Sequence, residues 1–198
     1  MRTAEIKRKT GETEISVKIN IDGTGVSEIN TGCPFLDHML TLFSKHSRID
    51  MTVFAKGDTE VDYHHTTEDV GICIGMAFSS AMSAPDAMKG IKRYGNMILP
   101  MDETLILSAV DISGRGHLEY KADVPSERVG GFDTELSEEF WRAFVRKAEI
   151  TLHVQKLAGT NSHHIIEGVF KSVARSLFEA LSKDERFLFD IPSTKGVI

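Results

Sequence analysis

Two pentapeptides of one form, His64-His65-Thr66-Thr67-Glu68 and His163-His164-Ile165-Ile166-Glu167, carry residue types that hold metal ions. If each stands at the start of a helix, the glutamate follows its two histidines by three and four places, so carboxylate and imidazole share a face. Adjacent histidines point roughly 100° apart around a helix. The two of one pair therefore serve two ions better than one, and two copies of the motif imply two sites. A single histidine is more often a surface or hydrogen-bonded core residue than a ligand. Four of the eight in this chain, however, fall within one repeated pattern, and clusters of His and Glu at ligand spacing have a mechanism behind them.

The elements that must position these motifs also read as a repeat. Half-buried strands over residues 3–10 and 14–21 alternate, with Ile15, Val17, Ile19 and Ile21 facing together. The turn residues Asp22-Gly23-Thr24-Gly25 lead to a short strand, and Pro34 suits the first position of a helix reaching about residue 47. That helix turns Phe35, Leu36, Met39, Leu40 and Phe43 inward and leaves His38 toward another surface. A strand over residues 49–56 follows, and the first pentapeptide opens an apolar helix to about residue 82. After a linker over residues 83–90 the order begins again, with strands over 91–101, 103–113 and 116–124, a helix over 134–148, a strand over 150–157 and a last helix opened by the second pentapeptide. The chain thus reads as an α+β fold built by internal duplication of a βββαβα unit, with halves at 1–90 and 91–198 forming one domain and helices packed on each sheet. In this alignment His38 falls near Glu139, and both become candidate ligands.

Composition bounds the rest. With 198 residues, 41% of them hydrophobic, the chain can bury a packed core. A net charge of -6 without a long basic run argues against nucleic acid as a partner while leaving room for local cationic pockets. The apolar run over residues 70–78 falls far short of the roughly 20 residues that cross a bilayer, so no membrane role is expected. No signal-like stretch opens the chain, and a cytoplasmic location is expected. Cys33 and Cys73 lack CxxC spacing and read as reduced thiols without a role.

The candidate ligands are His38, His64, His65, Glu68, Glu139, His163, His164 and Glu167, all nitrogen or hard oxygen donors. Such a set suits Mn(II), Fe(II), Co(II) or Zn(II), and an ion that prefers six donors but finds four keeps two positions for substrate or water. On the last helix, Glu167, Lys171 and Arg175 follow at four-residue intervals, which fits either a solvated salt-bridge face or a stripe shared with the ligands. The tail Pro192-Ser193-Thr194-Lys195-Gly196 offers hydroxyls and an ammonium for an anion, and Arg93 and Arg115 could complete the cradle.

Several ordered motifs make the match specific: residues 32–40 (Gly-Cys-Pro-Phe-Leu-Asp-His-Met-Leu), His64 to Gly71, Pro100-Met101-Asp102-Glu103, Phe132 to Leu136, Leu157 to Glu167 and Pro192 to Val197. Over essentially its whole length the chain resembles the imidazoleglycerol-phosphate dehydratases of histidine biosynthesis. The resemblance implies a duplicated, ribosomal protein S5 domain 2-like fold, two sheets with helices packed between them. It implies two Mn(II) per active site, with Fe, Co or Zn as substitutes, and a homo-oligomer of 24 subunits whose sites form between neighbours. It assigns the ligand role to the seven histidines and glutamates other than Glu139, where many members have a histidine. It also implies contacts to a phosphorylated imidazole substrate from Glu12, Arg93, Arg115, Lys171, Ser193, Thr194 and Lys195.

Elimination of water from D-erythro-imidazoleglycerol phosphate removes hydrogen from a carbon with no adjacent carbonyl, so the imidazole ring must serve as electron sink. An imidazolate held between two Mn(II) would supply it, with Glu167 or else Glu12 shuttling protons. A metal-storing or metal-buffering shell without turnover is the alternative, and the anion cradle speaks against it. A di-iron oxidase would need long-helix bundles with the reverse Glu-x-x-His order.

Overall fold

Alternation of apolar and polar residues makes the outer layers, and two glycines and a set of aromatic rings make the middle. The computed structural model describes residues 1–196; Val197, which closes the C-terminal motif, lies outside them. In the first half, β1 (Thr3–Lys9), β2 (Thr13–Asn20), β3 (Ser27–Asn30) and β4 (Asp50–Gly57) form a sheet in the order β1-β2-β4-β3. All its pairings are antiparallel except β3 with β4, the pair that α1 (Pro34–Ser47) connects. A parallel neighbour needs such a crossover, because a tight turn only reverses the chain. The helix α2 (His64–Met82) then packs on β1 and β2.

The second half repeats this order. Strands β5 (Tyr94–Met101), β6 (Thr104–Asp111), β7 (His117–Lys121) and β10 (Thr151–Ala158) form a sheet in the order β5-β6-β10-β7, again with only the last pair parallel. Helix α3 (Leu136–Ala148) precedes β10 and α4 (Ser162–Leu181) follows it. The expected βββαβα duplication is therefore present strand for strand. Two differences stand out. A small hairpin, β8 (Arg128–Val129) with β9 (Phe132–Asp133), fills the stretch before α3 and buries Phe132. Strand β5 begins at Tyr94 rather than at residue 91, because Ile91 pairs instead with Lys183 beyond α4.

Between the sheets the helices of the two halves pack crosswise, α1 on α4 and α2 on α3. Phe43 of α1, Phe78 of α2, Phe140, Trp141 and Phe144 of α3 and Phe170 of α4 meet there, all buried. Each sheet is tied to its helix by polar contacts as well. On the inward face of β1, Arg8 meets Asp69 of α2 at 2.6 Å, and Thr13 donates to the same carboxylate at 2.6 Å. That is why an arginine can alternate with Ala4 and Ile6.

The α2–α3 contact is close because α2 has glycine at Gly71 and Gly75. A Cβ at Gly71 would lie 2.7 Å from the Phe140 carbonyl oxygen, and one at Gly75 would lie 2.5 Å from that of Phe144. Alanine in a helix interior gains about 1 kcal/mol over glycine, whereas forcing a methyl group into a packed contact costs about 1–3 kcal/mol. At Gly75 the methyl group would meet a backbone oxygen that no rotamer change can move, which puts the cost at the upper end, so Gly75→Ala should destabilise the protein by about 2 kcal/mol net, read as a lower denaturant midpoint. A midpoint equal to or above the parent's would show that the helices can separate without strain.

Candidate active site

Both pentapeptides occupy the first turns of their helices. The Asn161 side chain caps α4 by accepting the backbone N–H groups of His163 and His164, and the Asp62 carboxylate accepts that of His64 at 2.7 Å. The rings leave these turns in different directions. His64 and His65 have ring centroids 6.1 Å apart with planes at 86°, and His163 and His164 are 6.4 Å apart at 82°. Within each motif the first histidine leans over the glutamate one turn on: His163 Nε2 is 3.1 Å from Glu167 Oε2, and His64 Nε2 is 4.0 Å from Glu68 Oε2.

The crosswise packing adds a third donor. His38, on α1, places Nε2 3.7 Å from Glu167 Oε2. Ligand atoms of His38, His163 and Glu167 all lie within 4.8 Å of one another, the one such group of three among the described residues. Two imidazole nitrogens and a carboxylate oxygen are a donor set that Mn(II), Fe(II), Co(II) and Zn(II) accept with positions to spare. Phe35 meets the His163 ring edge to face at 5.3 Å and steadies it. Glu167 is buried, with Lys171 Nζ 2.5 Å from its other oxygen. Burial pushes its carboxyl upward, but the Lys171 ammonium and His163 outweigh burial and hold it below the usual range. Its carboxyl is therefore favoured in the ionised form.

The remaining candidates are placed less compactly within one chain. His64 and Glu68 form a pair that Arg146 of α3 approaches at 3.5 Å, and Glu139, half-buried on α3, joins no group of three with them. His65 and His164 each meet a carboxylate through Nδ1, Asp58 at 2.9 Å and Glu103 at 2.8 Å respectively. These hydrogen bonds raise both histidines above their usual value. His164 and the backbone N–H of Asn161 pull Glu103 down to about 2. On the far side of each ring stands a second carboxylate, Glu12 3.9 Å from His65 Nε2 and Asp102 3.8 Å from His164 Nε2. Sequence reasoning missed Asp58, Asp102 and Glu103 as site residues. Asp102 and Glu103 stand in the stretch Pro100 to Glu103, which carries the family resemblance without an assigned role, and Asp58 has no local signal beyond following Gly57.

The expected anion cradle is gathered in a cleft of about 600 Å³ lined by Arg93, Arg115, Ser193, Thr194 and Lys195, and by the carboxylate residue Glu149 as well. Arg93 anchors the tail. It donates to both oxygens of Asp111, at 2.7 and 3.3 Å, and to the Pro192 carbonyl at 3.0 Å. Lys171 stands with Glu167 instead, and Arg175 lies over the Phe178 ring at 5.3 Å, so the stripe on α4 divides. Beside His38, His163 and Glu167, a cleft of about 490 Å³ is walled by Phe35, Tyr63, Val129 and Phe132 with His38 and His163. His117 and His153 face each other at 5.9 Å on neighbouring strands β7 and β10.

A family profile described as imidazoleglycerol-phosphate dehydratase matches residues 31–177. The chain is 55% identical to the imidazoleglycerol-phosphate dehydratase of Rhodopseudomonas palustris (strain BisB5), over 99% of this chain and 98% of that one. It is 54% identical to that of Halalkalibacterium halodurans over the full length of both. Among solved structures, the imidazoleglycerol-phosphate dehydratase of Staphylococcus aureus superposes with a TM-score of 0.83 at 43% identity, covering 92% of this chain and 99% of that one. The enzyme from Pyrococcus furiosus gives 0.81 at 36% identity, covering 98% and 100%.

The His164–Glu103 pair carries a pH signature in the metal-free protein. Glu103, with its pKa lowered, contributes stability above its unfolded value of about 4.3 that is lost as pH falls toward about 2. His164, with its pKa raised, contributes stability below its unfolded value of about 6.5 that is lost as pH rises through the higher folded value. The stability difference between the parent and Glu103→Gln should therefore be largest between about pH 4.5 and 6.5 and shrink on both sides. Denaturant unfolding across pH measures it, and a difference that grows above pH 8 would contradict the assignment.

Proposed function

Because this chain belongs to the imidazoleglycerol-phosphate dehydratase family, we propose that it dehydrates D-erythro-imidazoleglycerol phosphate to imidazoleacetol phosphate in L-histidine biosynthesis, using two divalent cations. The observation that carries the metal reading is the convergence of His38, His163 and Glu167 from the two halves, with ligand atoms within 4.8 Å. His64, His65, Glu68, His164 and Glu139 are the further ligands. The trio leaves coordination positions open, and a neighbouring copy of the chain supplies further donors in a homo-oligomer of 24 subunits. Mn(II) is the first choice for this nitrogen and hard-oxygen set, with Fe, Co or Zn as substitutes. Such ions, when bound, supply the electron-withdrawing power that makes the substrate's imidazole ring an electron sink.

The protein residues then divide the work. Arg115, Ser193, Thr194 and Lys195 hold the phosphate, on a floor set by the Arg93–Asp111 pair. Lys171 keeps Glu167 ionised and adds a cation to the substrate side. Glu12 is the better proton shuttle of the two glutamates. It sits in the β1–β2 turn, its side chain is 56% exposed, and among the described residues no ammonium pairs with it, whereas Glu167 is buried against Lys171. Loss of hydroxide from the carbon beside the ring and of a proton from the next carbon gives an enol, which tautomerises to the ketone. The cytoplasmic location belongs to the same proposal. A metal store without turnover would have no use for a cleft of two arginines, a lysine and two hydroxyls.

Three measurements test this. Chelator-stripped protein titrated with Mn(II) should gain turnover in step with bound metal, toward two ions per subunit; metal uptake without imidazoleacetol phosphate would favour the store. Glu12→Gln should retain normal metal content and lose about 10²–10⁴-fold in turnover, while Glu167→Gln should lose metal. The reverse outcome would return the base role to Glu167. Arg115→Met should weaken phosphate-end binding by about 2 kcal/mol, roughly 30-fold in kcat/KM, and an unchanged value would remove Arg115 from the cradle.

A further inference from the structure

Two of the four motif histidines have their rings held from behind. An ionised carboxylate can only accept a hydrogen bond, so the contacts of Asp58 with His65 and of Glu103 with His164, 2.9 and 2.8 Å long, put the proton on Nδ1 of each ring. In the neutral ring Nε2 then carries the lone pair, on the side where Glu12 and Asp102 stand. His64 and His163 show no carboxylate bonded at Nδ1 among the described residues; their Nε2 atoms face Glu68 and Glu167.

The two carboxylates do not correspond in the duplication. Glu103 precedes Thr104, the buried residue that opens β6, and its counterpart in the first half is Glu12, which precedes the buried Thr13 at the start of β2. Glu12 does not hold its histidine from behind. Its Oε1 stands 3.9 Å from His65 Nε2, on the other side of the ring. The task falls instead to Asp58, just past Gly57 at the end of β4.

We infer that Asp58 and Glu103 are positioning residues that fix His65 and His164 as Nδ1–H tautomers, with Nε2 as the ligand atom. Because Asp58 takes this task in the first half, Glu12 is left to the substrate side. The inference rests on the metal reading above. Carboxylates placed behind ligand histidines typically change metal affinity by roughly 10–100-fold, and the two here differ in how cleanly they can be removed. Glu103 also accepts the backbone N–H of Asn161 at 2.9 Å and the Thr104 hydroxyl at 3.0 Å, so it braces the entry to α4. Among the described residues, the Asp58 side chain makes only the His65 contact.

The test uses the full chain with Asp58→Ala, Asp58→Asn and Glu103→Gln. Mn(II) affinity is measured by chelator competition. The tautomer is read from ¹⁵N-histidine spectra of the metal-free protein above pH 8, with the His65 signal identified by its loss in His65→Gln. Asp58→Ala should weaken Mn(II) binding by roughly 10–100-fold and move His65 toward the Nε2–H form that free imidazole side chains favour. Asp58→Asn, which keeps an acceptor, should retain the tautomer and recover part of the affinity, and Glu103→Gln should do the same for His164. A His65 that keeps its tautomer in Asp58→Ala, or an affinity equal to the parent's, would overturn the inference. If the parent took up no metal, the metal reading would fall, and the tautomer shift would still decide the positioning role.

Discussion

Neighbouring residues on a helix cannot look at one point, and this constraint organises the molecule. His64 and His65, and likewise His163 and His164, leave their first turns with ring planes 86° and 82° apart. On the metal reading proposed above, each pair calls for other donors on two sides, and packing within the chain delivers one of them. The α1–α4 contact brings His38 of the first half beside His163 and Glu167 of the second. The α2–α3 contact, made close by Gly71 and Gly75, holds the two halves in register around a shared aromatic core. The sheets lie outside and keep the four helix ends where they are.

Charge is sorted on the chain in the same spirit. Carboxylates collect around the motif histidines: Glu167 and Glu68 within the motifs, Asp58 and Glu103 behind the rings, Glu12 and Asp102 in front of them. Cations collect in the cleft under the C-terminal tail, where Arg93, Arg115 and Lys195 stand together. A net charge of -6 conceals this cleft, because the excess of acid lies elsewhere. The substrate proposed above, with a nitrogen-rich ring at one end and a phosphate at the other, would match the two sets in charge.

Much of this was legible in the residues. Pro34 starts α1 where expected, and the alternation of Ile15, Val17 and Ile19 gives β2 its inward face. The repeated His-His-x-x-Glu pattern falls on the first turns of α2 and α4 as read. The hairpin of β8 and β9 escaped because strands of two residues carry no period, and α3 starts at Leu136 because Thr134 spends its hydroxyl on the Ser126 carbonyl in a turn. The carboxylates behind His65 and His164 were invisible for another reason. Asp58 and Glu103 reach their histidines across seven and 61 residues, and only the topology says which turn lies beside which helix end. Arg93 was read as an anion ligand, and its engagement with Asp111 and the Pro192 carbonyl shows that it also fastens the segment carrying Ser193 to Lys195.

The crosswise helix packing has a consequence for how such a chain can change. The first helix of each half lies on the second helix of the other, α1 on α4 and α3 on α2, so each half offers the same pair of surfaces. That reciprocity is the contact pattern of a twofold dimer, here with both members joined end to end. Joining makes their encounter independent of concentration, and it frees them from having to stay identical. One half can present His38 where the other has Glu139, and one can support a histidine from a strand end while the other uses a turn. A dimer of identical halves could do neither, since every change would appear twice.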